Sequence, residues 1–358
     1  MAKAREIEGL DCGGDAPRNI DLILRTRLAE MCELKEKALD WTDMEGVHDM
    51  RVASRRLRSI LRDFAPYFNP RKSPRKQLRE IARALGQVRD EDVAIVALKK
   101  LRHKVDERAA AGIKEFIEER RRRREAAREN LQLAINDDAI RELEEKFYEW
   151  LQSAAILREK STTESSPGIL SFKEMGREVI QSQYGELDDL SRSLFNPFDV
   201  EPLHEMRIAA KRLRYSLELF CPCFGEELRA LAKEIAGLQS SLGELHDCDV
   251  WIEELSKRLK ARNRAAQSDS SDSARGEQMT EEAADLWLLQ HFVMERTKHY
   301  DDALSRWAEW KATGFYSKLN EHLREASPQQ QQAQRQEADF DEPREVSGQA
   351  PDKEEINR

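Results

Sequence analysis

Residues 47–68 read VHDMRVASRRLRSILRDFAPYF, and residues 203–224 read LHEMRIAAKRLRYSLELFCPCF. Aligned without a gap, half the positions are identical and most of the others are conservative. A second matched pair follows each copy, LGQVRDEDV from Leu85 and LGELHDCDV from Leu242, with a one-residue change in the intervening spacing. The preceding segments, 20–39 and 176–195, also correspond in pattern. Order and separation are both kept, so the chain is a duplication of whole halves. STTESSPG, from Ser161 to Gly168, reads as the joint between them.

Apolar residues recur at spacings of three and four almost throughout, and Gly and Pro are confined to punctuation, which predicts long helices. Pro66, Pro70 and Pro74 end one helix and begin the next in the first half; Pro222 and Gly225 do so in the second. The fold class expected is all-α, built of paired antiparallel helical bundles. Residues 261–278 are poor in apolar side chains and have no counterpart in the first half, so a mobile loop is expected over 261–280. The organisation expected is a flexible segment over 1–18, repeat halves at 19–160 and 169–325, and a polar, acidic, disordered tail at 326–358.

With 39% hydrophobic residues, the 358-residue chain can fill one large or two ordinary cores. No run approaches the roughly 18 uncharged apolar residues of a membrane span, and the N-terminus lacks the apolar centre of a secretory signal. A cytoplasmic protein without a membrane partner is expected. Five cysteines without framework spacing predict reduced thiols. Cys221, Cys223, His246 and Cys248 could gather around zinc, but the matching first-half positions are Ala65, Tyr67, Arg89 and Glu91, which favours core and turn filling.

The net charge is −9, yet its distribution is uneven. From His48 to Arg83 eleven Arg and Lys face three acids, a local excess of eight positive charges. At about 100° per residue, His48, Arg51, Arg55, Arg58 and Arg62 fall within an arc of roughly 80°. Met50, Ala53, Leu57, Leu61 and Phe64 form a separate, apolar stripe. The second half repeats both, with His204, Arg207, Lys211 and Arg214 on one face and Met206, Ala209, Leu213, Leu217 and Phe220 on the other. Glu218 stands where the first half has Arg62. Stacking like charges costs helix stability, so something must compensate: carboxylates from neighbouring helices, or an anion held between two inward-facing ridges. Guanidinium forks suit phosphate oxygens and stay charged at any relevant pH.

Weaker candidates follow. Lys72, Arg75, Lys76, Arg79 and Arg83 share a face opposite Leu78, Ile81, Leu85 and Val88; the second half keeps Lys233 but has Ala236 and Ser240 in place of Arg79 and Arg83. In the run ERRRRREAAR only Arg120 and Arg124 can face one ligand. Arg89, Asp90 and Asp92, with Asp247 and Asp249, suit helix capping and arginine pairing, or orientation of the basic stripe.

The matched blocks HDMRVASRRLRSIL with LGQVRDEDV, and HEMRIAAKRLRYSLELF with LGELHDCDV, resemble the CHAD family, α-helical domains named for their histidines. The resemblance covers residues 19–323. It implies two long four-helix bundles related by a pseudo-twofold, with a basic central groove or pore. Family members bind inorganic polyphosphate and associate with polyphosphate granules, so the implied partners are that polymer and granule proteins, with no cofactor. Carried over, the family's basic positions fall on His48, Arg51, Arg55, Arg56 and Arg58, and on His204, Arg207, Lys211, Arg212 and Arg214. Glu6 and Glu8 only superficially echo the triphosphate-handling barrel sometimes fused to such domains, so the domain looks free-standing.

Three functions compete: a polyphosphate-binding module, a phosphoryl-cleaving enzyme with His48 or His204 as acid/base, and a nucleic-acid-backbone binder. Catalysis calls for metal-binding carboxylates or an activated nucleophile beside the phosphate; Asp49 and Glu205 lie about 100° round the helix from the histidines. Base stacking calls for exposed aromatics among the cations, and Tyr215 is alone on the stripes.

Overall fold

Helix boundaries are set by local chemistry. In a computed structural model that describes residues 4–67, 74–161, 170–266 and 272–324, the His-headed ridge helix α3 (Met44–Asp63) starts where the Asp43 carboxylate accepts from the Glu45 amide at 2.9 Å. α1 (Ala16–Glu33) and the short α2 (Lys35–Leu39) precede it, and α4 (Arg75–Arg102) follows. α5 (Glu107–Ala134) begins at the Asp106 cap and leads into α6 (Asp137–Ser161). The second half opens at α7 (Phe172–Leu190), where Ser171 and Glu174 close a reciprocal capping box. It continues through the second ridge helix α8 (Val200–Phe224), the long α9 (Glu227–Ala266) and α10 (Asp272–Thr313), and α11 (Phe315–Leu323). Among the described residues the chain is helical, with one isolated bridge, Asp15 to Ser171, as its extended pairing.

The apolar stripes read from the sequence are the core. Met50, Ala53, Leu57, Leu61 and Phe64, and their repeats Met206, Ala209, Leu213, Leu217 and Phe220, are all buried; the large side chains among them contribute roughly 1.5–3 kcal/mol each by leaving water. The Phe64 and Phe220 rings, equivalent positions of the two repeats, meet edge to face at 6.1 Å. Equivalent positions of the two repeats are therefore in direct contact between α3 and α8. Gly176 is required there, because a Cβ on it would stand 2.5–2.9 Å from the Phe220 ring. Buried apolar residues group into one main core and a second cluster where α4, α5, α9 and α10 run together. Both clusters draw on both halves, so the repeats share their interior.

Four expectations are corrected or narrowed. The segment before α1 is pinned rather than flexible from residue 4 on: Asn19 bonds both ways with the Asp11 backbone, and the Phe172 and Lys173 amides donate to Gly14 and Cys12 carbonyls. Cys12 and Cys223 form a disulfide across 211 positions, against the reading of all five thiols as reduced. That bond also removes reduced thiols as an argument for a reducing compartment. Pro222 lies inside the last turn of α8, and Gly225, at φ +102°, ends that helix alone. The expected loop over 261–280 is helical on both flanks, continuing α9 to Ala266 and opening α10 at Asp272. The joint at 162–168, Lys72 and the acidic tail lie outside the described residues. No helix among them is long and apolar enough to cross a membrane.

Candidate anion-binding groove

The two ridges look at each other. Arg207 on α8 is lowered from the ordinary arginine range, first by burial and then, against the pull of Asp247, by the charges of Arg55 and Arg51 on α3. Lys211 carries the same signature more strongly: burial, then Arg207, Arg55, Arg51 and Arg214, bring its pKa down to about 7. Matching glycines floor the two ridges, with a Cβ at Gly86 falling 3.9 Å from Arg51 Nε and one at Gly243 falling 3.7 Å from Arg207 Nε. The repeat is thus kept in three dimensions at the level of single atoms.

Between the ridges lies a cavity of about 450 Å³. α3 contributes Arg55, Arg58 and Arg62 to its walls, α4 contributes Arg75 and Arg79, and α8 contributes Lys211, Arg212 and Tyr215. Six arginines and one lysine line it, and no carboxylate does. Arg75 donates to the Leu61 carbonyl at 2.6 Å, Arg62 meets Asp63 at 3.1 Å, and Arg212 pairs with Glu186. Arg55, Arg58, Arg79 and Lys211 have no hydrogen-bond or ion-pair partner among the described residues, and Arg55 Nε is buried and unsatisfied. Unpaired, partly desolvated cations are costly. Arg55 and Lys211 are half-buried while Arg58 and Arg79 reach solvent, and an anion placed among them would offset the cost of the half-buried charges.

The histidine end is different. Arg51 stands 3.6 Å from Asp90, and Asp247 faces Arg207. His204 and His246 approach with their Nδ1 atoms 3.1 Å apart. Burial and then the His204 and Arg207 neighbours push His246 down to about 4, while burial, then Arg89, lowers His48, and burial, then Arg207, lowers His204. His48 and His204 head the ridges but stand outside the walls of the cationic cavity. Glu45, His48 and Asp49 bring ligand atoms within 4.8 Å of one another; Lys37 already meets Asp49 at 2.7 Å, and Arg89 lies 4.0 Å from Glu45.

Several sequence candidates are placed elsewhere. Arg56 is buried beside α1, 3.7 Å from Glu30, and is therefore part of the packing. Its repeat, Arg212, pairs with Glu186 on α7, so one helix-to-helix pair is duplicated. Glu30 and Glu186 are 156 positions apart, the same offset that separates His48 from His204; extending the repeat register would have found them. Arg214 is buried, donating to Gln239 at 2.8 Å and pairing with Glu218 at 2.7 Å. Glu218 thus removes Arg62's counterpart and occupies Arg214 as well. Arg120 is buried between Glu91 and Glu254, Arg124 pairs with Asp92 and Glu125, and neither lines the cavity. Arg89 turns to Met44 O and Glu45. Arg83 and Lys233 are exposed and line no part of the cavity. Asp90, Asp92, Asp247 and Asp249 lie inside continuous helices, so none is a cap; the arginine pairing holds, with Arg296 on Asp249.

The described fold is all-α and presents two opposed cationic ridge helices around a cavity with no carboxylate among its lining residues. The sequence profile of the CHAD domain matches residues 22–256, and the chain belongs to that family. The structure is similar to the crystal structure of the CHAD domain from the plant Ricinus communis, with a TM-score of 0.64 and 23% identity, covering 84% of this chain and 94% of that one. It is also similar to PptA from Streptomyces chartreusis, with a TM-score of 0.54 and 14% identity, covering 82% of this chain and all of that one. No curated protein sequence matches the chain.

Proposed function

We propose that the groove binds inorganic polyphosphate and that the protein acts by holding this polymer, in association with polyphosphate granules, rather than by cleaving it. One observation carries the reading: seven cations converge on one cavity with no carboxylate in its walls. A linear polyanion supplies a phosphate for each cluster of donors without needing base-stacking surfaces, and charge-assisted hydrogen bonds of roughly 1.5–3 kcal/mol each make such contacts strong. Tyr215 is the one aromatic residue in the lining and is buried, which favours polyphosphate over single-stranded nucleic acid. The family resemblance points to the same ligand. The test is competition on labelled long-chain polyphosphate. Unlabelled polyphosphate is expected to displace it at far lower phosphate concentration than orthophosphate or single-stranded DNA does. Equal displacement by DNA at equal phosphate would replace this reading with backbone binding. Release of orthophosphate in Mg²⁺ or Mn²⁺ would replace it with catalysis.

A further inference from the structure

Besides Arg62, which gives way to Glu218, the duplication changes one cation of the ridge: where α3 has Arg55, α8 has Lys211. A lysine in that place is not an equivalent cation, because its amine can lose a proton and become a nucleophile. The charged groups that act on it most strongly are all arginines. Arg51 and Arg55 face it from α3, Arg207 and Arg214 from α8, and the His204–His246 pair lies beyond them across α8 and α9. No carboxylate meets its Nζ among the described residues. It is half-buried in the wall of the 450 Å³ cavity, with Arg55 and Arg212 in the same wall.

We infer that Lys211 is a site of covalent acylation by small acyl phosphates, whose phosphate is captured by the neighbouring arginines while the amine attacks the acyl carbon. The inference rests on the proposed reading of the groove as a phosphate site. In the step, the Nζ lone pair forms the N–C bond to the carbonyl carbon, and the C–O bond to phosphate breaks. Phosphate leaves with the bonding pair, and the extra Nζ proton passes to water. The product is a neutral amide that removes one cation and adds an acyl group to the cavity, which turns down binding of the long polyanion.

With a pKa of about 7 against 10.5 for an ordinary lysine, Lys211 holds roughly 300-fold more free amine at pH 8. A less basic amine is also a weaker nucleophile, so the advantage expected from the amine alone is about tenfold, to which phosphate capture adds. The experiment treats the full chain with acetyl phosphate at pH 8 and follows each lysine by peptide mass spectrometry. Lys257 and Lys298, whose side chains are 71% and 63% exposed, serve as references. Lys211 is expected to react at least about tenfold faster than either. That lead is expected to shrink severalfold in Arg55→Gln, in the presence of pyrophosphate, and with the uncharged donor N-acetoxysuccinimide. Reaction of Lys211 no faster than the references, or a lead untouched by pyrophosphate in the unmutated protein, overturns the inference. Polyphosphate binding is measured in parallel. If the polymer binds and Lys211 is not selectively acylated, this inference fails alone; if Lys211 is selectively acylated but the polymer does not bind, the polyphosphate reading fails alone.

Discussion

Replacing Arg55 and Lys211 together by alanine removes two of the four cavity cations that have no partner among the described residues. Taking the lower end of the charge-assisted range, about 1.5 kcal/mol per contact, the pair accounts for about 3 kcal/mol, or roughly a 150-fold loss of affinity for long polyphosphate. The salt dependence gives a second reading. If the four unpaired cations each neutralise one phosphate, log K falls with log salt at a slope near 0.7 per contact, or about 3 in all, so raising salt from 50 to 200 mM weakens binding about 50-fold. With two contacts left the slope halves and the same change costs about sevenfold. Fluorescence anisotropy of end-labelled polyphosphate across that range measures both. The unliganded protein is expected to move the other way: deleting two unopposed charges relieves repulsion, so its melting temperature is expected to hold or rise slightly. Parent-like affinity and salt slope in a folded double variant would refute the argument that these side chains carry the site.

Proton linkage gives the next expectation. Lys211 titrates near 7 in the free groove, and a bound polyanion raises that value. Below pH 7 it is charged in both states and binding is flat with respect to it. Above pH 7 the free form is neutral, binding takes up a proton, and Kd is expected to climb by up to about tenfold per pH unit until the bound form also titrates. Lys211→Arg is expected to abolish that climb between pH 7 and 9. The same linkage holds for His48, His204 and His246, all lowered in the free protein: a phosphate reaching any of them drives proton uptake above its free value. The disulfide is checked by thiol counting and melting. Alkylation of the denatured protein without reductant is expected to label Cys32, Cys221 and Cys248 but not Cys12 or Cys223. Reduction is expected to lower stability by up to about 5 kcal/mol, the loop-closure limit for so long a loop. Labelling of all five thiols in the denatured, unreduced protein would contradict the bond.

The ridge helices and their burial were legible because helical period and duplication each state the same pattern twice. Every residue of the two apolar stripes is buried, and the ridges converge as opposed faces. What the sequence concealed depends on separation along the chain. Cys12 and Cys223 show no local spacing, so the bond that pins the N-terminal segment could not be read. Arg56 and Arg58 are two positions apart and look alike as letters, yet one is buried against Glu30 and the other lines the cavity. Helical angle separates them, and the family's basic positions taken as a set do not. Arg120 is a related case: its partners Glu91 and Glu254 come from α4 and α9, which no local pattern brings together.

The acidic total of −9 and the cationic cavity have one explanation. Carboxylates occur wherever an arginine must be held: Glu30 and Glu186 behind the ridges, Glu91, Glu254 and Asp285 along the long helices, Asp90 and Asp247 at the histidine end. They are missing from one volume, the walls of the cavity between α3 and α8. Random loss of acids would have left unpaired cations scattered over the surface, where water solvates them at little cost. Here the unpaired cations are gathered on one cavity, with Arg55 and Lys211 half-buried, at a place where the repeats differ: Glu218 occupies Arg214 on α8, while α3 and α4 supply Arg58, Arg62, Arg75 and Arg79. The groove is therefore lopsided, with the first half providing most of the charge and the second providing the single amine. On the proposed reading the polyanion lies mainly against the arginines of α3 and α4 and meets α8 through Lys211 and Arg212, so the first-half arginines are expected to be the larger determinants of affinity and Lys211 the determinant of its pH dependence.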